Sequence, residues 1–547
     1  MDAQFRISIQ PSTSIKIVSV IPSDYDGDGC MDVMLILQLP SQEDYSMRLY
    51  YGNHSHVSSV YKTLNGRSRV QPFALDYQGM AQLDLMGANA TQGALIWRNM
   101  HQDATEKIRD HDEALFEVIQ APFLGDTCTL VSPHANAFVD MDGDCVADLV
   151  VQCADGSVQV WLNRRGEFVF YTSFKLNGVM SMVFADINGD GSHDVVYTSC
   201  ETDTQCFLNV IYNQQMPLCS KHQVEGRCRS VAGLCLADDQ FVLNVQEQQR
   251  ISLSALNTTL TGWLRDSDKM AVPLQVGDVN LDGYPDILAV VQTSQGSRAV
   301  IFENTACTPS LCPPSSSWTR TMQYVASRQG SLDHIYGVSR AAFYDLDEKG
   351  ILDVVLQYKN NSMTSPSLAF ILNNLMSDAL FLKATTINNG PKSSRGVNYI
   401  GSTYKFTVMD IHGQKRAAIG TSMTQSAHCP LQLPYHVHGL GRTNTYLEEF
   451  VVGVPRRQEE QVRSWAGVIP NSQVFMSPYQ PAGVKDASTW TLRVYINPSE
   501  YAVWVLVVVL VSTMVLAAVV VGLHKMEVNE DEAEKKSASH HINFDAL

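Results

Sequence analysis

The sequence predicts a mainly β protein: a β-propeller over residues 1–378, a β-sandwich-like module over 379–496, one transmembrane helix over 501–523 and a tail at 524–547. Three observations predict it. A nine-residue acidic loop recurs between short apolar runs, its copies are spaced like propeller blades, and a 23-residue stretch near the C-terminus carries no charge.

The complete loops read DYDGDGCMD from Asp24, DMDGDCVAD from Asp140, DINGDGSHD from Asp186 and DVNLDGYPD from Asp278. In the first, Asp24, Asp26, Asp28 and Asp32 place side-chain oxygens at positions 1, 3, 5 and 9, and Cys30 offers a backbone carbonyl at position 7. The same positions hold Asp140, Asp142, Asp144 and Asp148, then Asp186, Asn188, Asp190 and Asp194, then Asp278, Asn280, Asp282 and Asp286. A hard cation takes about 6–8 oxygens at ~2.3–2.6 Å, so this spacing points to Ca²⁺ as a structural cofactor. Glycine at position 4 or 6 supplies the positive φ of a tight wrap. An EF-hand is excluded, because it needs Glu at position 12 and flanking helices, whereas position 12 here is Leu35, Val151, Tyr197 or Ala289. Two copies are degraded. DYQGMAQLD from Asp76 has Gln78 and Met80 in ligand positions and is expected to bind weakly or not at all. DLDEKGILD keeps Asp345, Asp347 and Asp353 as a weak set, with Lys349 expected to fill part of the cation's place.

Each loop runs from one β-rich stretch into another, as in NAFV before Asp140 and LVVQ after Asp148. The first aspartates lie 52, 64, 46, 92 and 67 residues apart, which suits blades of about four short strands. The 92-residue interval holds either one blade with a long insertion or two blades.

The run from Tyr501 to Leu523 is long enough to cross a hydrocarbon core of ~30 Å. All 12 cysteines and the sequons at Asn53, Asn89, Asn257 and Asn360 precede it. Disulfides and glycans belong to the secretory lumen, so the large N-terminal part is expected outside the cell: a single-pass type I glycoprotein of the cell membrane. Cys200 with Cys206, and Cys307 with Cys312, bracket short loops suited to local disulfides, whereas Cys219, Cys228 and Cys235 form a cluster of open pairing. The opening MDAQFRISIQ lacks the apolar run of a signal peptide, and we expect a shortened N-terminus. The net charge of −17 disfavours nucleic-acid binding, which needs a basic face.

The rival class is an ectoenzyme acting on a glycan or lipid at the propeller face. His436 and His438 alternate as on a strand and share a face, but the sequence has no HExxH, GxSxG or phosphate-cradling loop. We expect no catalytic residues.

The loops resemble FG-GAP/VCBS repeats, the cation-binding blades of integrin-α-like propellers. The ordered loops, then QSAHCPLQLPYHVHGLGRTNTYLEEFVVGVPR at 425–456, VIPNSQVFMSPY at 468–479, one span and a short tail ending FDAL resemble the T-cell immunomodulatory protein (LINKIN) family along the whole chain. That resemblance implies a seven-bladed propeller, with about one blade missing here. It also implies a role in adhesion and modulation of T-cell function, a cell-surface or extracellular protein ligand, an ectodomain that is also shed, and links to RuvB-like AAA+ ATPases and tubulin.

Overall fold

In the computed structural model the described residues are 15–539, apart from 39–43, 54–55, 81, 90–92, 101–114, 203, 220–226, 267–269, 315–316, 360–364, 376, 389–395, 410–412, 414, 424–427, 429–431, 444–445, 457–459, 480–483, 485 and 497–500. The sequon at Asn360 lies outside them.

The β-rich stretches form strands, and each acidic loop joins two neighbouring antiparallel strands of one sheet. Among the described residues this unit recurs in six antiparallel sheets. Sheet one holds Lys16–Ser23, Asp32–Gln38, Tyr45–Gly52 and Val57–Thr63 in that order. Sheet two runs from Phe73–Leu75 to Phe116–Gln120, and sheet three from Ala137–Val139 to Glu167–Lys175 with Phe123–Leu124 added in parallel at its edge. Sheet four runs from Val179–Ala185 to Gln249–Ser252, sheet five is centred on Asp286–Thr293, and sheet six ends at Ser367–Ile371. The strand after the loop is apolar on both faces: DVMLILQ at Asp32–Gln38 is buried up to its last residue, and DLVVQ at Asp148–Gln152 is buried throughout. A strand covered on both sides belongs to stacked sheets. Consecutive sheets do share cores. Met34 and Ile36 pack with Leu85 and Trp97, Met86 and Ile96 with Leu149 and Trp161, and Val160 with Phe184 and Val195. Leu208 then packs with Val300 and Phe302, and Leu288 and Val290 with Phe343 and Leu356. This is a β-propeller.

The long interval between Asp186 and Asp278 resolves as one sheet with an insertion. The chain leaves sheet four after Cys206–Ile211, pairs Asn213–Gln214 with Val242–Leu243, and returns at Gln249–Ser252. Cys219–Cys228 closes a loop within this excursion, and Cys145–Cys235 ties it to the third acidic loop. Cys128–Cys153, Cys200–Cys206 and Cys307–Cys312 are also disulfides.

Strands from Leu380 to Tyr495 form two four-stranded sheets, a sandwich, around Tyr404, Phe406, Phe450 and Trp490. Propeller and sandwich lie in one compact unit. A second unit, described by itself, holds the helix Tyr501–Ser539. It continues beyond the 501–523 span into the charged segment of the tail, and its apolar side chains from Trp504 to Leu523 are exposed.

Candidate metal centres at the acidic loops

The loops share one hydrogen-bonding scheme. The position-1 carboxylate accepts from the position-6 N–H: Gly29 to Asp24 at 3.0 Å, Cys145 to Asp140 at 2.9 Å, Gly191 to Asp186 at 2.9 Å, Gly283 to Asp278 at 2.7 Å and Gly350 to Asp345 at 3.0 Å. The position-9 carboxylate accepts from the position-2 N–H, as Tyr25 donates to Asp32 at 2.8 Å and Met141 to Asp148 at 2.8 Å. Its other oxygen accepts from the third strand, as Asn163 N–H donates to Asp148 at 2.8 Å and Asn304 N–H to Asp286 at 2.8 Å. This wrap needs left-handed backbone at positions 4 and 6. Glycine serves at Gly27 and Gly29, while Cys145, Leu281 and Glu348 adopt φ of 68°, 59° and 57° despite their side chains.

The scheme gathers negative charge away from water. Burial, aided by Asp26 and Asp28, pushes Asp24 up to about 6. Burial likewise raises Asp32, Asp186 and Asp278 to about 7, and holds Asp148, Asp194 and Asp286 well above the ordinary carboxylate range. Nearby positive charge offsets such burial of carboxylates, and a divalent ion supplies two units of it.

The donor sets fit such an ion unequally. Carboxylate oxygens of Asp24, Asp26 and Asp28 lie within 4.8 Å of one another, and Asp24 Oδ1 is buried without a hydrogen-bond partner. Asp140, Asp142 and Asp148 also converge within 4.8 Å, although Arg164 pairs with Asp142 at 2.7 Å and reaches Asp144 at 3.4 Å. In the next two loops Asn188 and Asn280 hold position 3 beside Asp186, Asp190 and Asp194, and beside Asp278, Asp282 and Asp286; Asn188 Nδ2 donates to Asp190 at 2.9 Å. The two degraded loops do not fit. Gln78 Nε2 donates to Asp84 Oδ1 at 3.1 Å inside loop two. In loop six Lys349 pairs with Asp347 at 2.5 Å, and a second ammonium, Lys383 from the sandwich, pairs with Asp345 at 2.8 Å. Two carboxylates of the weak set Asp345, Asp347 and Asp353 are thus paired with ammonium groups, one with Lys349 at the surface and one with a residue 38 positions away in sequence.

All six loops face the sandwich. Asn388 Nδ2 donates to Asp24 at 3.3 Å, Tyr399 hydroxyl to Asp76 at 2.5 Å, and Arg416 to the Gly283 carbonyl at 2.7 Å. Ser402 bridges to Val146, the Gly191 Cα abuts Ala417, and Gly439 lies so near Asp278 that an added Cβ would stand 1.9 Å from Oδ2. Lys405, 1% exposed, sits near Asp140, Asp186 and Asp190 without a hydrogen-bond partner at Nζ, and burial draws it down to about 8.

A second feature of the loops has a weak signature in sequence. An asparagine at the end of the third strand of a sheet, or two residues beyond it, donates Nδ2 to the position-2 carbonyl of the preceding loop: Asn99 to Tyr25 at 2.9 Å, Asn213 to Met141 at 2.9 Å, Asn304 to Ile187 at 2.9 Å and Asn373 to Val279 at 2.8 Å. The signal is an Asn recurring 15–20 residues after position 9.

The paired histidines line a cavity of about 120 Å³ walled by the first strands of sheets three to six and by the sandwich, and Asp186, Asp278 and Gly283 of the acidic loops line it too. The His436 and His438 rings are 4.1 Å apart and buried, and burial holds His436 down at about 4. His193 donates or accepts between the Asp140 carbonyl at 3.1 Å and Thr421 Oγ1 at 3.2 Å. Among the described residues no group of three ligand atoms at metal spacing includes a histidine.

Sequence comparisons agree with this geometry. The family described as "ITFG1, C2 domain" matches residues 394–495, and the one described as "FG-GAP-like repeat" matches 140–197. The T-cell immunomodulatory protein homolog of Plasmodium falciparum is 30% identical over 96% of this chain and 80% of its own length. The T-cell immunomodulatory protein of Mus musculus is 28% identical over 99% of this chain and 86% of its own, and protein linkin of Caenorhabditis elegans is 24% identical over 99% and 87%. A propeller of FG-GAP repeats, a C2 sandwich seated on its loops and full-length relatives of one name place this chain in the T-cell immunomodulatory protein family.

Proposed function

We propose that this protein is a single-pass cell-surface glycoprotein that recognises a protein ligand, in adhesion and in modulation of T-cell function, and that it works without catalysis. Calcium in the four complete loops holds the blades while exposed loops bind the ligand. The observation that carries the reading is the ring of buried carboxylates at a propeller–sandwich interface, where bound cations would hold blades and sandwich together. The exposed apolar helix Tyr501–Ser539 supports a membrane anchor. Asn53 is exposed and Asn89 and Asn257 are half-buried, as glycan acceptors in this reading. A shed ectodomain and the RuvB-like ATPases and tubulin belong to the same proposal by family resemblance. For the ectoenzyme alternative, no third ligand joins His436 and His438 at metal spacing among the described residues, and His438 Nε2 has no hydrogen-bond partner there.

The test is adhesion by cells that display the full chain behind an added secretion leader. Displaying cells are expected to capture T cells more than mock-transfected cells do, and EGTA is expected to reduce the difference. Equal capture by both populations, with surface display verified, sinks the proposal.

A further inference from the structure

The complete and the degraded loops meet the sandwich differently. Among the described residues, the sandwich's one hydrogen bond to a position-1 carboxylate of a complete loop is long. Asn388 Nδ2 stands 3.3 Å from Asp24, Lys405 Nζ has no hydrogen-bond partner, and Arg416 bonds the Gly283 carbonyl. At the degraded loops the contact is short and lands on the position-1 carboxylate, with Tyr399 on Asp76 at 2.5 Å and Lys383 on Asp345 at 2.8 Å.

We propose that loops two and six are latches between propeller and sandwich rather than cation sites, with Tyr399 and Lys383 taking the cation's part at position 1. The inference rests on the calcium reading only for its contrast with the other four loops. In loop two, Gln78 closes the centre: its amide donates to Asp84 at 3.1 Å and to the Asn99 carbonyl at 2.6 Å, and Met80 brings no hard oxygen. In loop six the ion pair is enclosed, with side chains 8% and 0% exposed. The Lys383 ammonium also sits 4.2 Å from the centre of the Tyr435 ring, whose hydroxyl accepts from the Asp345 N–H at 2.8 Å. An enclosed ion pair with additional partners resists separation, because parting it leaves two buried charges unpaired. The latches therefore hold the sandwich in place whether or not calcium is present.

The experiment uses the full chain in detergent micelles. Bound calcium is counted by equilibrium dialysis with elemental analysis for wild type, D24N and D345N. Hydrogen exchange of wild type and K383M is followed in EGTA. D345N is expected to bind as many calcium ions as wild type; one fewer overturns the proposal. K383M is expected to speed exchange at 345–353 and Leu380–Thr386 about tenfold, while Thr403–Met409 stays protected. Unchanged exchange at the first two segments overturns it. If K383M does not fold, Y399F read at 76–84 serves the same purpose, with faster exchange expected and unchanged exchange overturning it. A wild type that binds no calcium, with D24N indistinguishable, defeats the calcium reading, while the exchange measurements still judge the latches.

Discussion

Asn304 shows how much one side chain does here. Its Nδ2 reaches the Ile187 carbonyl at 2.9 Å and the Pro285 carbonyl at 3.2 Å, fastening one sheet to the loop of the one before. Asn304→Ala removes the donor to the buried Ile187 carbonyl, and a buried unsatisfied group costs roughly 1–3 kcal/mol, so thermal unfolding should drop by several degrees. Glu348 tests the backbone. It is exposed and held at φ 57°, and Glu348→Gly is expected to raise stability by up to about 1 kcal/mol, measured by urea unfolding. The residue scale is also where sequence reading falls short. The ligand positions and their loops are written as contiguous spacings. Lys383, Tyr399 and Asn388 are far in sequence from the carboxylates they touch, and only the docking of the sandwich brings them there.

At the scale of the element, the acidic loop links protons to cations. Asp24, Asp32 and Asp278 have folded values of about 6, 7 and 7, above the ordinary 3.8. A carboxyl raised on folding takes up a proton, so its contribution is present at acid pH and is lost as pH rises from about 4 through about 7. Calcium needs the deprotonated form. The difference in melting temperature between calcium and EGTA is therefore expected to be largest near pH 8 and to shrink toward pH 5. A difference independent of pH would count against cation binding by these carboxylates. Strand–loop–strand units were legible in sequence because both the apolar runs and the acidic spacing are local. The extent of the insertion at 213–248 was not, since nothing local distinguishes a long excursion from a further sheet. Cys145–Cys235 was hidden for a related reason: its halves lie 90 residues apart, and one sits inside a loop read for its oxygens.

At the scale of the whole molecule, the compact unit ending at Tyr495 and the helix that follows make separable demands. A chain ending after Tyr495 is expected to be soluble, with the calcium-dependent melting of the full protein, whereas the full chain should stay in the membrane pellet after carbonate extraction. Release of the full chain by carbonate would contradict a spanning helix. Within the compact unit, the seating of the sandwich is tight. Gly439→Ala would place a methyl group on Asp278 Oδ2 and against Leu281 backbone, and we expect it to lower the melting temperature more than Gly467→Ala, which meets nothing within 4 Å and costs only the strain of a φ of 73°.

The dissimilar side chains that meet these similar loops have one more consequence. A lid placed over repeated, nearly equivalent units has several rotational settings of comparable fit. Because Lys383, Asn388, Tyr399 and Arg416 each match a different loop, turning the lid by one unit would set an ammonium or a guanidinium against the wrong counterpart everywhere at once. Degeneracy in the blades is thereby resolved by variety in the cap, and the assembled head has a single azimuth.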